Sequence, residues 1–165
     1  MNTMRIKNIC LILILSFSSI GCSEEKQPEN GYEQALIVGS FLVNKTDKES
    51  GIGTGEIIRG YCILLFENKD SDLQYPLDYI TFDLPSDLVD IPEELLSLDY
   101  DPDNCGPNFF PATYRFTYKI GLNYDVLNSK DETEFALGPC TASGLTFPWE
   151  NYSQIKILNA HITTN

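Results

Sequence analysis

Three aspartates at alternating positions stand in the stretch Asp99-Tyr100-Asp101-Pro102-Asp103-Asn104-Cys105-Gly106. Carboxylates spaced in this way can turn several oxygens toward one hard cation, which is what calcium takes. A calcium-binding helix–loop–helix would carry Gly at 104 and Glu at 110, and the chain has Asn104 and Phe110 there. The stretch therefore reads as an acidic surface loop built from turn-forming residues. Calcium on Asp99, Asp101 and Asp103 would brace that loop; no other cofactor is expected.

The remaining polar groups give weaker chemistry. Glu93-Glu94 and Asp70-Ser71-Asp72 are paired carboxylates. Acid–base catalysis needs two carboxyls facing one substrate, whereas neighbours on a turn point different ways. His161 is the single histidine, so any Ser-His-Asp or Cys-His site must use it, and no Gly-x-Ser-x-Gly accompanies it. Gly51-Ile52-Gly53-Thr54-Gly55 shares its glycines with phosphate loops but lacks the following Lys-Ser/Thr, and reads as the entry to a hairpin. These features favour a non-enzymatic protein. Two aromatic loops remain, Phe109-Phe110-Pro111 and Phe147-Pro148-Trp149-Glu150-Asn151-Tyr152. Exposed, Phe109, Phe110, Phe147, Trp149 and Tyr152 would form a binding surface for a protein or a glycan. Buried, they would plug the end of a small barrel, which is the expected arrangement.

The cysteines set the compartment. Met1 to Asn8 carries Arg5 and Lys7 and no acid, Ile9 to Ile20 is largely apolar, and Gly21-Cys22 follows. This is a secretory signal peptide, too short for a membrane-spanning helix of about 20 apolar residues. The exit Ser19-Ile20-Gly21-Cys22 resembles the lipobox of bacterial lipoproteins, which implies that Cys22 becomes the lipidated N-terminus of the mature chain. Ser23 in place of an Asp implies the outer membrane, and Ser23-Glu24-Glu25 is similar to short acidic tracts that direct Gram-negative lipoproteins to the cell surface. Residues 22–32 are polar and form a flexible tether. Cys10 leaves with the signal, so Cys62, Cys105 and Cys140 remain. Outside the cytoplasm a pair is expected. Cys62–Cys140 is the first choice and Cys105–Cys140 the second, since spacing does not decide between them.

Arg5 and Lys7 also leave, so the net charge of −13 becomes −15. Such a surface repels nucleic-acid phosphates and anionic headgroups, so no nucleic-acid partner is expected and the lipid must do the anchoring.

The elements that must position these residues are strands. Apolar or alternating runs predict them over Gln34–Asn44, Gly55–Asn68, Asp78–Leu84, Tyr114–Ile120 and Gln154–Thr163. The last slips register at Leu158-Asn159, which predicts a bulge. One short helix is expected within Ser86–Leu98, with Pro92 in its first turn. The expected fold is all-β: a five- to six-stranded OB-like barrel over residues 33–165, with an immunoglobulin-like β-sandwich as the alternative. The order Gly60-Tyr61-Cys62-Ile63-Leu64-Leu65, Leu84-Pro85, Tyr114-Arg115-Phe116-Thr117-Tyr118, then Ile155-Lys156-Ile157 resembles small OB-like lipoproteins of Gram-negative bacteria. That resemblance implies a lipid-anchored envelope protein, here expected to be a monomer that binds a partner or serves as an accessory subunit of an envelope complex. Labelling with an alkyne fatty acid should mark the wild-type chain and fail on Cys22→Ala; a labelled Cys22→Ala chain would remove Cys22 as the acylation site.

Overall fold

The computed structural model describes residues 31–70, 75–96, 106–136 and 147–163. Seven strands dominate them: β1 (Glu33–Thr46), β2 (Gly53–Leu65), β3 (Tyr79–Thr81), β4 (Asn108–Phe109), β5 (Lys119–Val126), β6 (Phe135–Ala136) and β7 (Ser153–Ile162). In place of the expected short helix there is a single 3-10 turn, Glu93–Leu95, with Pro92 at its N-cap. No helix among the described residues is long and apolar enough to cross a membrane.

β1 and β2 read as continuous apolar runs at Ala35-Leu36-Ile37-Val38 and Cys62-Ile63-Leu64-Leu65. A strand of that kind is buried on both faces, and these residues are 7 % exposed or less. The two strands pair antiparallel, Ala35 opposite Leu65 and Ile37 opposite Ile63. Asp47 closes the hairpin by accepting from the Ser50 N–H and Oγ, both at 2.9 Å. These hydrogen bonds, the Ser50 backbone bond foremost, hold the Asp47 carboxyl below its usual range. Gly51 supplies the turn's positive φ of 66°.

β2 pairs with β3, β3 runs parallel to β7, β7 pairs with β5, and β5 returns to the first residues of β1. Because β1 also pairs with β2, the five strands close into a ring. β4 and β6 are added along β1 beyond β5, at Gly39–Ser40 and Asn44–Lys45. The mixed sheet thus holds two strands more than the ring requires.

Alternation then makes two cores. Ala35, Ile37, Ile63, Leu65, Ile120, Leu122 and Ile155 form one cluster, against which Tyr79 packs. All five ring strands contribute, so this cluster fills the ring. Leu36, Val38, Phe41, Val43, Cys62, Leu64 and Ile80 form the other, on the opposite face of β1, β2 and β3. The register shifts between Ile37 and Gly39. Val38 follows Leu36 to the outer core by plain alternation, and the bulge shifts the parity so that the later Phe41 and Val43 face it as well.

The expected Tyr114–Ile120 strand is corrected. Residues Ala112–Tyr114 form a 3-10 turn, and the strand begins only at Lys119. The bulge in β7 falls where the sequence slips, with Leu158 unpaired between Asn123–Asn159 and Tyr124–Ile157.

Two glycines lie under rings. A Cβ on Gly60 would meet the Phe41 ring at 2.2 Å, and one on Gly121 would meet the His161 imidazole at 2.4 Å. Phe41 is wedged in the outer core, whereas His161 is at the surface and free to swing. Gly60→Ala should therefore destabilise the fold by about 1–3 kcal/mol in denaturant unfolding, with Gly121→Ala far milder. Equal midpoints for the two variants would refute this packing.

Candidate functional site

The aromatic loops go inward. Phe147 and Trp149 are buried at 6 % and 9 % exposure, and Tyr152 is half-buried beside them. They do not plug the ring's interior. They cover its outer face: Trp149 sits 4.7 Å from both Phe41 and Phe147, and Phe147 stacks on Tyr152 at 5.2 Å. Tyr75, Phe82, Phe109 and Phe135 extend this layer of rings. Pairs of this geometry contribute about 0.5–1.5 kcal/mol each beyond their buried area. Phe109 and Phe110 separate, because neighbours on β4 point to opposite faces. Phe109 is half-buried in the outer layer, and Phe110 is buried in the ring core against Tyr118 at 5.7 Å. The five rings hold the fold together and leave little surface for a partner.

The other sequence-derived groups are scattered. His161 is exposed on β7, edge-on to the Tyr32 ring at 4.7 Å and lying over Gly121. Glu93 and Glu94 are exposed on their 3-10 turn, and Asp70 is exposed and paired with Lys69. Among the described residues, no three His, Cys, Asp or Glu side chains gather as metal ligands. Asp72 and the calcium candidates Asp99, Asp101 and Asp103 lie outside the described residues, as does Cys22. Cys62 is a free thiol, completely enclosed in the outer core. Burial pushes it well above the ordinary thiol range. Its expected partner Cys140, and Cys105, lie outside the described residues.

Two constellations emerge that the sequence reading did not single out. At one end of the ring, the half-buried Tyr124 donates a short hydrogen bond to the Glu33 carboxylate and packs on Tyr79 at 5.4 Å between centroids. Burial, and then that hydrogen bond, push the Tyr124 phenol far up. Such a phenol stays protonated and holds β5 to the start of β1; it is a poor acid or base at neutral pH.

The second constellation is at the surface and is built from three separate segments. The turn Phe66–Asn68 follows β2 directly. Asp78 fixes it, one carboxylate oxygen accepting from the Leu65 N–H at 2.7 Å and the other from Asn68 Nδ2 at 2.9 Å. The Lys69 ammonium then lies 4.8 Å from the centre of the Phe66 ring, and the Lys119 ammonium, from the start of β5, lies 4.1 Å from it. Both distances fall within cation–π range. Arg115, at the end of the Ala112–Tyr114 turn, donates from Nη2 to the Lys69 carbonyl at 3.0 Å. Its Nε is shut off from water and has no hydrogen-bond partner among the described residues. Its guanidinium carbon is 5.8 Å from the centre of the Phe116 ring, which is 51 % exposed. Three cations and an open aromatic face thus share one surface of a strongly acidic protein. Read as a strand, Tyr114 to Ile120 puts Phe116 in the core; the turn that replaces the strand is what exposes it.

No protein-family model matches the chain, and neither curated proteins nor solved structures give a significant match to it.

Cys62 should resist an alkylating agent in the native protein and react once the chain is unfolded in denaturant without reductant. Labelling that appears only after reduction would identify a disulfide at Cys62 instead.

Proposed function

We propose that this chain is a lipoprotein of the outer membrane, anchored through acylated Cys22 and exposed at the cell surface, whose folded domain is a non-enzymatic binding module. The lipobox-like Ser19-Ile20-Gly21-Cys22 and the acidic Ser23-Glu24-Glu25 support the address. Acyl chains anchor such a body without any spanning helix, at about 0.8 kcal/mol per buried CH2. The domain is an OB-like barrel in this reading. The ring order β1-β2-β3-β7-β5, closed on β1 and with β3 parallel to β7, fits a five-stranded OB-like barrel better than a two-sheet sandwich. β4 and β6 are then additions along β1.

One observation carries the binding role: Phe116 stands open beside Arg115 while Lys69 and Lys119 converge on Phe66. Surface aromatics next to arginine are what interfaces favour. The aromatic loops first considered for this role are occupied within the fold. The partner is a protein or a glycan outside the cell.

A photoreactive side chain placed at position 116, tested on intact cells of a Gram-negative host against the same group at the exposed hairpin residue Glu49, checks the reading. An adduct from position 116 and none from position 49 is expected. No adduct at position 116 would refute the module.

A further inference from the structure

The binding module proposed above has a surface whose chemistry names a ligand class. After loss of Arg5 and Lys7 the chain keeps nine basic residues against 24 acidic ones. Two of the nine, Lys69 and Lys119, meet over Phe66, and a third, Arg115, joins them through the Lys69 carbonyl, although they come from the turn after β2, β5 itself and the turn before β5. The two ammoniums sit on one ring, no further apart than their distances to its centre taken together, and repel each other. Asp70 answers only Lys69, at 2.9 Å, with its own side chain 78 % exposed at the rim. Lys119 and Arg115 have no carboxylate partner among the described residues. The guanidinium is held by the Lys69 carbonyl, which fixes Arg115 in place and leaves its charge unneutralised by any described residue.

We propose that this surface binds an acidic sugar, a uronate- or sulfate-bearing unit of a polysaccharide. The anionic group would lie against Lys119, Lys69 and Arg115. The apolar C–H face of the pyranose ring would lie on Phe116, the one aromatic among the large apolar side chains left exposed in the described residues. An acidic peptide would use the cations alone and leave the open ring idle, and so would a lipid phosphate. The strong net negative charge of the body opposes any anion, but at physiological salt charges beyond about 8 Å are largely screened. A bound sugar group therefore senses mainly the local cations.

The test uses the lipidated full chain in detergent, immobilised, with polygalacturonate and chondroitin sulfate as probes. Neutral dextran, polyglutamate and phosphatidylglycerol vesicles are the comparisons. At least one acidic polysaccharide should bind and dextran should not. Lys69→Gln combined with Lys119→Gln should weaken binding roughly tenfold. Phe116→Ala, which removes an exposed ring and should leave the unfolding midpoint unchanged, should weaken it several-fold. Polyglutamate should bind less tightly and be indifferent to Phe116→Ala.

Equal binding of polyglutamate, with no effect of Phe116→Ala, would overturn the sugar in favour of an acidic protein partner. Preference for the vesicles would overturn it in favour of a membrane surface. Binding of dextran at equal strength, or of no polyanion at all, would also overturn it. If an adduct forms at position 116 on cells while neither polysaccharide binds, the sugar assignment fails and the binding module survives. If both are missing, the module fails as well.

Discussion

The fold depends on a single strand whose two faces and two edges are all occupied. β1 gives alternate side chains to the ring core and to the outer core, so no slip in its register is tolerated: a shift of one residue would exchange the two sets. Along one edge it pairs with β2 for nearly its whole length. Along the other it meets β5, then β4, then β6 in succession. Three partners on one edge require the strand to bend between them. The bulge at Val38-Gly39 provides the bend, and Gly39 the room. A Cβ there would stand 2.7 Å from the Asn108 carbonyl oxygen, a backbone atom with nowhere to go. The same bulge turns Phe41 and Val43 to the outer face already held by Leu36 and Val38 and thereby extends the apolar surface that the aromatic layer covers.

What was legible in the sequence follows from that burial. Ala35 to Val38 and Cys62 to Leu65 are continuous apolar runs, and burial on both faces leaves no position for a polar residue. The slip at Leu158 was legible because β7 keeps one regular partner, β5, so its own pattern records the extra residue. Tyr114 to Ile120 misled for the opposite reason. Its alternation is sharp, but no strand is available beside residues 114–117, and Pro111 caps a 3-10 turn instead. The true strand, Lys119–Val126, contains Gly121 and Asn123 and looks weak. It is held from both sides, by β1 and β7, and its glycine leaves room for the exposed His161 ring that lies over it. Pairing overrode local preference.

The aromatic loops show how far composition reaches. Phe147 to Tyr152 lies between strands, and its rings are equally suited to a surface, an end plug or a second core. Only the outward faces of Phe41, Val43, Cys62 and Leu64 decide among these, and for Phe41 and Val43 that direction depends on a bulge that no residue in the loop reports. The result is a mixed sheet with a second apolar layer on one side. Cys62 is enclosed there because it faces this layer rather than the ring, which makes it a small apolar side chain rather than a reactive thiol.

The surface cations are coupled to the same constraint. Asp78 begins the approach to β3 and accepts from the Leu65 N–H, so closing β2 onto β3 also sets the turn that carries Phe66 and Lys69. β5 is placed by the first residues of β1, and Lys119, opposite Leu36, takes its position from that pairing. Arg115 then ties the turn before β5 to the turn after β2. The segment of Phe66 and Lys69 is far in sequence from that of Arg115 and Lys119, and no spacing rule relates the two. Their meeting is a by-product of ring closure. Repulsion between cations gathered in this way is reduced by the Phe66 ring that both ammoniums contact and by Asp70 at the rim, and a bound anion would reduce it further.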